Sequence, residues 1–542
     1  MKCFRTRRGV GIFAEVDAPR TRPDGVKDVD RERGRVGAEV TRRTFLRAAG
    51  AGAAWVALVG TLGCEPGERE ERAGASPLKP GESSVRGLQP ARSGPAHVFR
   101  SRPDLDPPAV TVGTPANGTA PGYVFVAPKK GPGRDGPMIL DNNGDPVWFR
   151  PMREEQDAMD CKVQEYRGAP VLTWWEGVHL GYGQGEYVIC DAGYRELARV
   201  RAGNDLDGDH HEFLITKNDT ALITIYAEVP YDLSPLGGPE GGTVAEGVIQ
   251  ELDIETGEVL FEWRSLEHVP VEETHGDLPD DPANAFDYFH INSIDVDEDD
   301  NLLVSARRTF TVYKIDRKTG EVIWRLGGKK SDFEMGDGTK TLYQHDARRQ
   351  PDGTITLFDN GGMYVSEESR VVGIRTDEGD MTATVAREYT HPDGVLSLTQ
   401  GNAQRLPNGN VFVGWGSEPV FSEFDEDGGL LFSASLPAEV ESYRAFRHPW
   451  TGRPDTLPDL IATPAHDGGV TLHASWNGAT EVKTWEVLAG PATDELEPVG
   501  SVPRTGFETA IALRTGDALV AVRALDGSGQ ALGTSRAINI RG

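Results

Sequence analysis

Cysteine is scarce, four residues in 542. Beyond Cys64 only Cys161 and Cys190 remain, so they are the one pair left that could form a disulfide in an oxidising compartment. Positive charge is short as well, with 56 Lys+Arg against 85 Asp+Glu and a formal net charge of −29. Nucleic acid and anionic lipid call for a basic face, and this composition argues against both. The modest apolar run from Ala48 to Leu62 falls short of the roughly 20 residues that span a bilayer. Turn formers, by contrast, are plentiful: 65 Gly and 36 Pro beside 38% hydrophobic residues. That mixture is too apolar for a disordered chain and favours many short strands over long helices. At roughly 100–200 residues per domain, the length gives two or three domains or one large repeat architecture.

The first 64 residues differ from the rest. They hold 13 Lys/Arg and 7 Asp/Glu, a net of +6, which leaves −35 on residues 65–542. Thr41-Arg42-Arg43-Thr44-Phe45-Leu46-Arg47 precedes the apolar run, which ends at Gly63-Cys64. Paired arginines before a short apolar segment read as a twin-arginine export signal over 1–64. The twin-arginine export machinery is then a partner, and the protein is expected in the periplasm or at the cell surface. Gly63-Cys64 resembles a lipoprotein cleavage site, although Thr61 replaces the usual aliphatic residue and Leu62 the usual small one. Lipidation at Cys64, the only membrane attachment expected, and plain cleavage both stay open. Residues 65–95, rich in Glu, Arg, Gly, Ser and Pro, read as a disordered linker.

From about 120 to 445 one phrase recurs: an apolar strand ending in Asp, a Gly-containing turn, then a strand with an aromatic. Leu252-Asp253-Ile254-Glu255-Thr256-Gly257 is echoed by Ile315-Asp316-Arg317-Lys318-Thr319-Gly320. Looser copies place the key Asp at 141, 191, 377 and 425, with gaps of 48 to 63 residues along the series. Asp caps such a turn and Gly supplies its positive φ, as in a hairpin. A second hairpin lies between copies, at Asn301-Leu302, Asp352-Gly353 and Asn408-Gly409. Two hairpins make four strands, and a four-stranded unit of this period, repeated six times, predicts an all-β fold: a six-bladed β-propeller over 96–450, with five or seven blades left open by the looser first two copies. Past 450, alternating segments such as Val470–Trp476 and Ala518–Ala524 resemble a fibronectin-type-III-like β-sandwich over 457–540.

In a propeller the inner strands converge on the axis, so functional groups gather there from distant positions. His211, His290 and His345 fall one per successive repeat, at spacings of 79 and 55. Asn292 and Arg307 lie near His290. Asp346 follows His345 and is a candidate to orient its imidazole. The other histidines, His179 among them, have no such register. Trp174, Trp175 and Trp415 could line an aromatic pocket or fill the core. Asp205-Leu206-Asp207-Gly208-Asp209 and Asp295–Asn301 have calcium-loop spacing but no Glu at the twelfth position, and read as polar turns.

The runs Asp209-His210-His211-Glu212-Phe213, Phe289-His290-Ile291-Asn292-Ser293, Gln344-His345-Asp346, Phe358-Asp359-Asn360-Gly361 and Gln400-Gly401-Asn402 resemble, in order, the arylsulfotransferase family of exported bacterial enzymes. The chain looks like a divergent branch with an added C-terminal domain. The resemblance implies a propeller enzyme that moves a sulfuryl group from a phenolic sulfate ester to a phenol, with no nucleotide donor and no cofactor. It implies that His345 is the transient sulfohistidine nucleophile and that His211, His290, Asn292 and Arg307 surround the sulfate. Such a transfer needs fixed cationic donors, which Arg307 and protonated histidines would supply. Two other readings fit the residues: three imidazoles at an axis could hold a transition metal, or a tethered propeller could bind glycans or partners without catalysis.

Overall fold

A computed structural model describes residues 82–88 and 94–541, Tyr364 excepted. The export signal and Cys64 lie outside the described residues. The fold is nearly all β and propeller-like, with one short α-helix and two 3-10 turns among the described residues. Six sheets are built on four antiparallel strands each, taken up in chain order. Sheet 2 runs Asp157–Tyr166, Ala169–Leu180, Tyr182–Cys190 and Glu196–Val200; sheet 3 runs Asp209–Ile215, Thr220–Tyr231, Gly242–Asp253 and Val259–Arg264. Sheets 4, 5 and 6 begin with Ile291–Val296, His345–Arg349 and Asn402–Arg405. Sheet 1 joins the two ends of this series: its first strand, Glu441–His448, pairs with Tyr123–Lys129, ahead of Met138–Leu140 and Pro146–Phe149. Each first strand packs on the sheets before and after it, including sheet 6 on sheet 1. The series therefore closes on itself.

The repeated Asp residues explain how each sheet turns. Asp141, Asp191, Asp253, Asp316, Asp377 and Asp425 all sit where the third strand of a sheet turns into the fourth. In every copy Oδ1 accepts a backbone N–H two residues on, at 2.8–3.0 Å. That is the Asx turn the sequence spells.

Two further sheets follow. Asp459–Pro464, Val470–Ser475 and Glu508–Thr515 form one, and Thr484–Gly490, Glu497–Pro503 and Leu519–Leu525 lie in the other. Leu472, Trp485, Val487, Ile511 and Val522 fill the core between them. Ser83–Gly87 pairs along Glu508–Thr515, so part of the stretch read as a linker is a strand. Its Val85 packs against the core, and an available sheet edge supplies the backbone partners that its composition alone does not.

Cys161 and Cys190, the one pair left that could have formed a disulfide, are free, buried thiols. They lie on the first and third strands of sheet 2. Leu172, on the strand between, pairs with both Val163 and Cys190. Two inter-strand steps amount to about 10 Å, beyond disulfide reach. Burial pushes the Cys190 thiol up to about 12.

Candidate active site

A cavity of about 560 Å³ opens where the first strands of the sheets converge, and His211, His290, His345 and Arg307 all line it. The local backbone explains how. Pairing shifts register at the start of five of these six strands, at Asp160, His211, Asn292, Asp346 and Tyr443 or beside them. Such bulges re-aim side chains that a regular pleat would alternate between faces. Asp160, His290, Tyr343, Asp346 and Gln400 adopt positive φ between 55° and 67°. Each such conformation costs on the order of 1–3 kcal/mol and persists only where its surroundings impose it.

The three imidazoles are held in one way. Both carboxylate oxygens of Asp209 lie 2.8 Å from Nδ1 of His211, and Asp287 Oδ2 lies 2.5 Å from Nδ1 of His290. Nδ1 of His345 lies 2.7 Å from Asn360 Oδ1 and 3.0 Å from the Tyr343 carbonyl. The Asn360 amide is fixed in that sense, because its Nδ2 donates to the carbonyls of Ser397 and Gln400, both at 2.9 Å. Every partner is an acceptor, so Nδ1 carries the proton in each ring and Nε2 keeps a free lone pair. Ring centroids of His211 and His290 are 5.0 Å apart, and those of His290 and His345 6.4 Å.

Burial, then the neighbouring Arg307, holds the His345 imidazole well below its usual range. His290 is lowered to about 4 by burial, with Asp287 opposing. Both rings are therefore neutral near pH 7 and do not supply the positive charge expected of them: desolvation outweighs the Asp287 carboxylate at His290 and the Asn360 hydrogen bond at His345. The cation is Arg307, lowered by burial and by Arg308 only to about 10. Its guanidinium lies 4.7 Å over the Tyr343 ring and donates from Nη2 to the Leu398 carbonyl at 3.1 Å. Its buried Nε has no hydrogen-bond partner among the described residues.

Asn292 stands behind this wall, wholly buried. Its Nδ2 donates to the Gln344 carbonyl at 2.7 Å, which links sheet 4 to the segment leading into His345. Asp346 does not orient His345. It faces away, 2.7 Å from Arg348, and accepts from the Ala403 N–H at 3.0 Å. It belongs to a buried network with Asp160, Lys162, Glu212, Arg348 and Arg444, drawn from four first strands. Three acids and three bases pair there behind the histidines. Trp174, Trp175 and Trp415 are buried in the sheet cores and do not line the cavity. His179 does line it, against its reading as unconnected, and its ring centroid lies 4.8 Å from that of buried His210. Asp209 and Asp287 lie two and three residues before their histidines, and Asn360 just past the strand that pairs with His345, and none was recognised as a partner. The signal available was that Asp209 and Asn360 fall inside the family-like runs.

Fold and site together define an all-β, propeller-like protein with a histidine-walled cavity at the meeting of its sheets. The arylsulfotransferase family model matches residues 162–436, half of the chain, and the protein belongs to that family. No curated protein matches it. Among solved structures it is similar to a protein of unknown function from Bacteroides caccae, at 13% identity and a TM-score of 0.38, over 61% of this chain and 100% of that one. It is also similar to a catalytically inactive virginiamycin B lyase variant from Staphylococcus aureus, solved with quinupristin. There identity is 8% and the TM-score 0.31, over 75% of this chain and 99% of that one.

Proposed function

We propose that this chain is an exported aryl-sulfate sulfotransferase that works by a ping-pong route through sulfohistidine at His345. The six four-stranded sheets are read as propeller blades, and the last two sheets as a fibronectin-type-III-like sandwich. One observation carries the mechanism: Asn360 and the Tyr343 carbonyl hold the proton of His345 on Nδ1, so a neutral Nε2 lone pair remains on the cavity wall. A neutral imidazole is a competent nucleophile, and a covalent intermediate divides one transfer into two. Nε2 attacks sulfur, the N–S bond forms as the S–O(aryl) bond breaks, and the phenolate leaves with the electron pair. Arg307 steadies the charge that spreads over the sulfuryl oxygens. The leaving phenolate takes its proton from water, and His211, with Nδ1–H held by Asp209 and Nε2 free, accepts the proton of the acceptor phenol and returns it to solvent. Attack by that phenol breaks the N–S bond and restores His345.

The test incubates the purified protein with a chromogenic aryl sulfate and a phenol acceptor. Acceptor-dependent phenol release, lost by at least about 10³-fold in His345→Ala, is the expected result. Equal turnover in the variant sinks the nucleophile assignment. No release with any donor, in folded protein, turns the reading toward non-catalytic binding. Export and attachment at Cys64 belong to the same proposal, supported by the paired arginines. Labelled fatty acid recovered on the mature protein, and lost in Cys64→Ser, separates lipidation from plain cleavage.

A further inference from the structure

Beside the cavity, three ligand atoms converge that the transfer leaves partly unused. Asp209, His210 and His211 are consecutive and buried, and one potential metal-ligand atom from each lies within 4.8 Å of the others. A regular strand would send His210 and His211 to opposite faces. The register shift between Asp209 and Phe213 puts both on one side, with ring centroids 4.1 Å apart. Asp209 Oδ2 lies 2.8 Å from His211 Nδ1 and 3.2 Å from His210 Nδ1. The second contact lacks hydrogen-bond geometry, and His210 Nδ1 is a buried nitrogen with no hydrogen-bond partner among the described residues. The backbone leaves room beside it: a Cβ at Gly183 would come within 3.0 Å of that nitrogen.

We infer that Asp209, His210 and His211 form a site for a divalent transition-metal ion, of the zinc or cobalt class, whose occupancy controls the transfer at the same cavity. Four ligands about 2.1 Å from a tetrahedral ion stand about 3.4 Å apart, close to the 2.8 and 3.2 Å separations from Asp209. Two imidazole nitrogens and one carboxylate favour such an ion over calcium or magnesium, which take oxygen ligands. The fourth position falls to water from the cavity, which His210 and His211 both line. Asp287 and Glu441 on the same wall offset part of the charge of Arg307, Arg308 and Lys129. Binding needs the Nδ1 lone pair of His211, so the proton there moves to Nε2 and none leaves the ring. Nε2 then donates and no longer accepts. The metal thus blocks the proton that the acceptor phenol must give up. This last step rests on the function proposed above; the site itself does not.

The test titrates cobalt(II) chloride into the metal-free full chain and follows visible absorption, with zinc displacement as a second readout. One equivalent with tetrahedral d–d bands is expected, weakened at least tenfold in His210→Ala. X-ray absorption of the zinc-loaded wild type, which needs no variant, should show two imidazoles and oxygen ligands. Absent binding at millimolar cobalt, a sulfur shell, or affinity unchanged in folded His210→Ala overturns the site. Cobalt binding in a protein that transfers no sulfate keeps the site and removes the control. Full transferase activity with the site loaded removes the control alone.

Discussion

Asn360 decides which nitrogen of His345 is free, and it does so without touching the cavity. Replacing it with alanine removes the shorter of the two acceptors that pin Nδ1–H and leaves only the Tyr343 carbonyl, so the ring samples both tautomers more freely. Expected is a roughly 10–100-fold fall in the rate of aryl sulfate cleavage, comparable to losing the hydrogen-bonded support of other histidines. Asn360→Asp separates this from simple packing. It keeps the acceptor but adds a charge that favours the imidazolium, so the acid limb of the pH–rate profile should move up relative to wild type. An unmoved limb would mean that Asn360 only fills space. His290 makes a prediction about stability. Its pKa is about 4 in the fold and near 6.5 in an unfolded chain. Between those values the unfolded state binds more protons, so stability rises with pH through this window. Melting temperature should fall as pH drops from 6.5 toward 4, and less steeply in His290→Gln. Equal slopes in the two proteins would place the acid sensitivity elsewhere.

At the scale of elements, neighbouring sheets are stitched by asparagines. Asn292 reaches the Gln344 carbonyl and Asn360 the Gln400 carbonyl. Asn402, fully buried, both donates to the Ala445 carbonyl and accepts from its N–H, each at 2.9 Å. That last pair ties sheet 6 to the strand that closes the series. Gly414 permits it, since a Cβ there would lie 2.4 Å from Asn402 Oδ1. Asn402→Ala leaves a buried N–H and a buried C=O without partners, at about 1–3 kcal/mol each. Urea unfolding should show a loss of about 2–5 kcal/mol, and a loss under about 1 kcal/mol would mean that water replaces the amide. These elements also show what the sequence could reveal. The Asp–Gly turns were readable because their cause is local, an Asx cap and a positive φ within five residues. His211, His290 and His345 were readable by their period. The pairing of Glu441–His448 with Tyr123–Lys129 spans more than 300 residues, beyond the reach of any local pattern. The bulges were hidden too, because the residues at them, Asp160 and Asp346, are shaped by the buried ion network. So were the neutral histidines, since burial cannot be read from a residue's type.

For the whole molecule, the arrangement of charge sets how an anionic donor arrives. Residues 65–542 carry −35, whereas the cation assigned to the sulfuryl group, Arg307, lies buried at the cavity. These act over different ranges. At about 10 mM salt the Debye length is roughly 30 Å, and an approaching aryl sulfate feels most of the surface; at about 150 mM it is roughly 8 Å. The long-range repulsion is thereby screened, while the contact with Arg307, sheltered from ions, is weakened far less. For the donor, kcat/KM should therefore rise several-fold between those salt concentrations, the reverse of an enzyme steered by attraction. Under saturating donor, kcat/KM for a neutral phenol acceptor should stay flat, because a neutral molecule meets no net field. Measuring both in one buffer series separates electrostatics from a general salt effect on the fold. A donor kcat/KM that falls with salt would mean that positive potential reaches beyond the cavity mouth and outweighs the net charge. Lys129 and Lys130, both on the cavity wall and both paired with Glu441, would then be the residues to neutralise next.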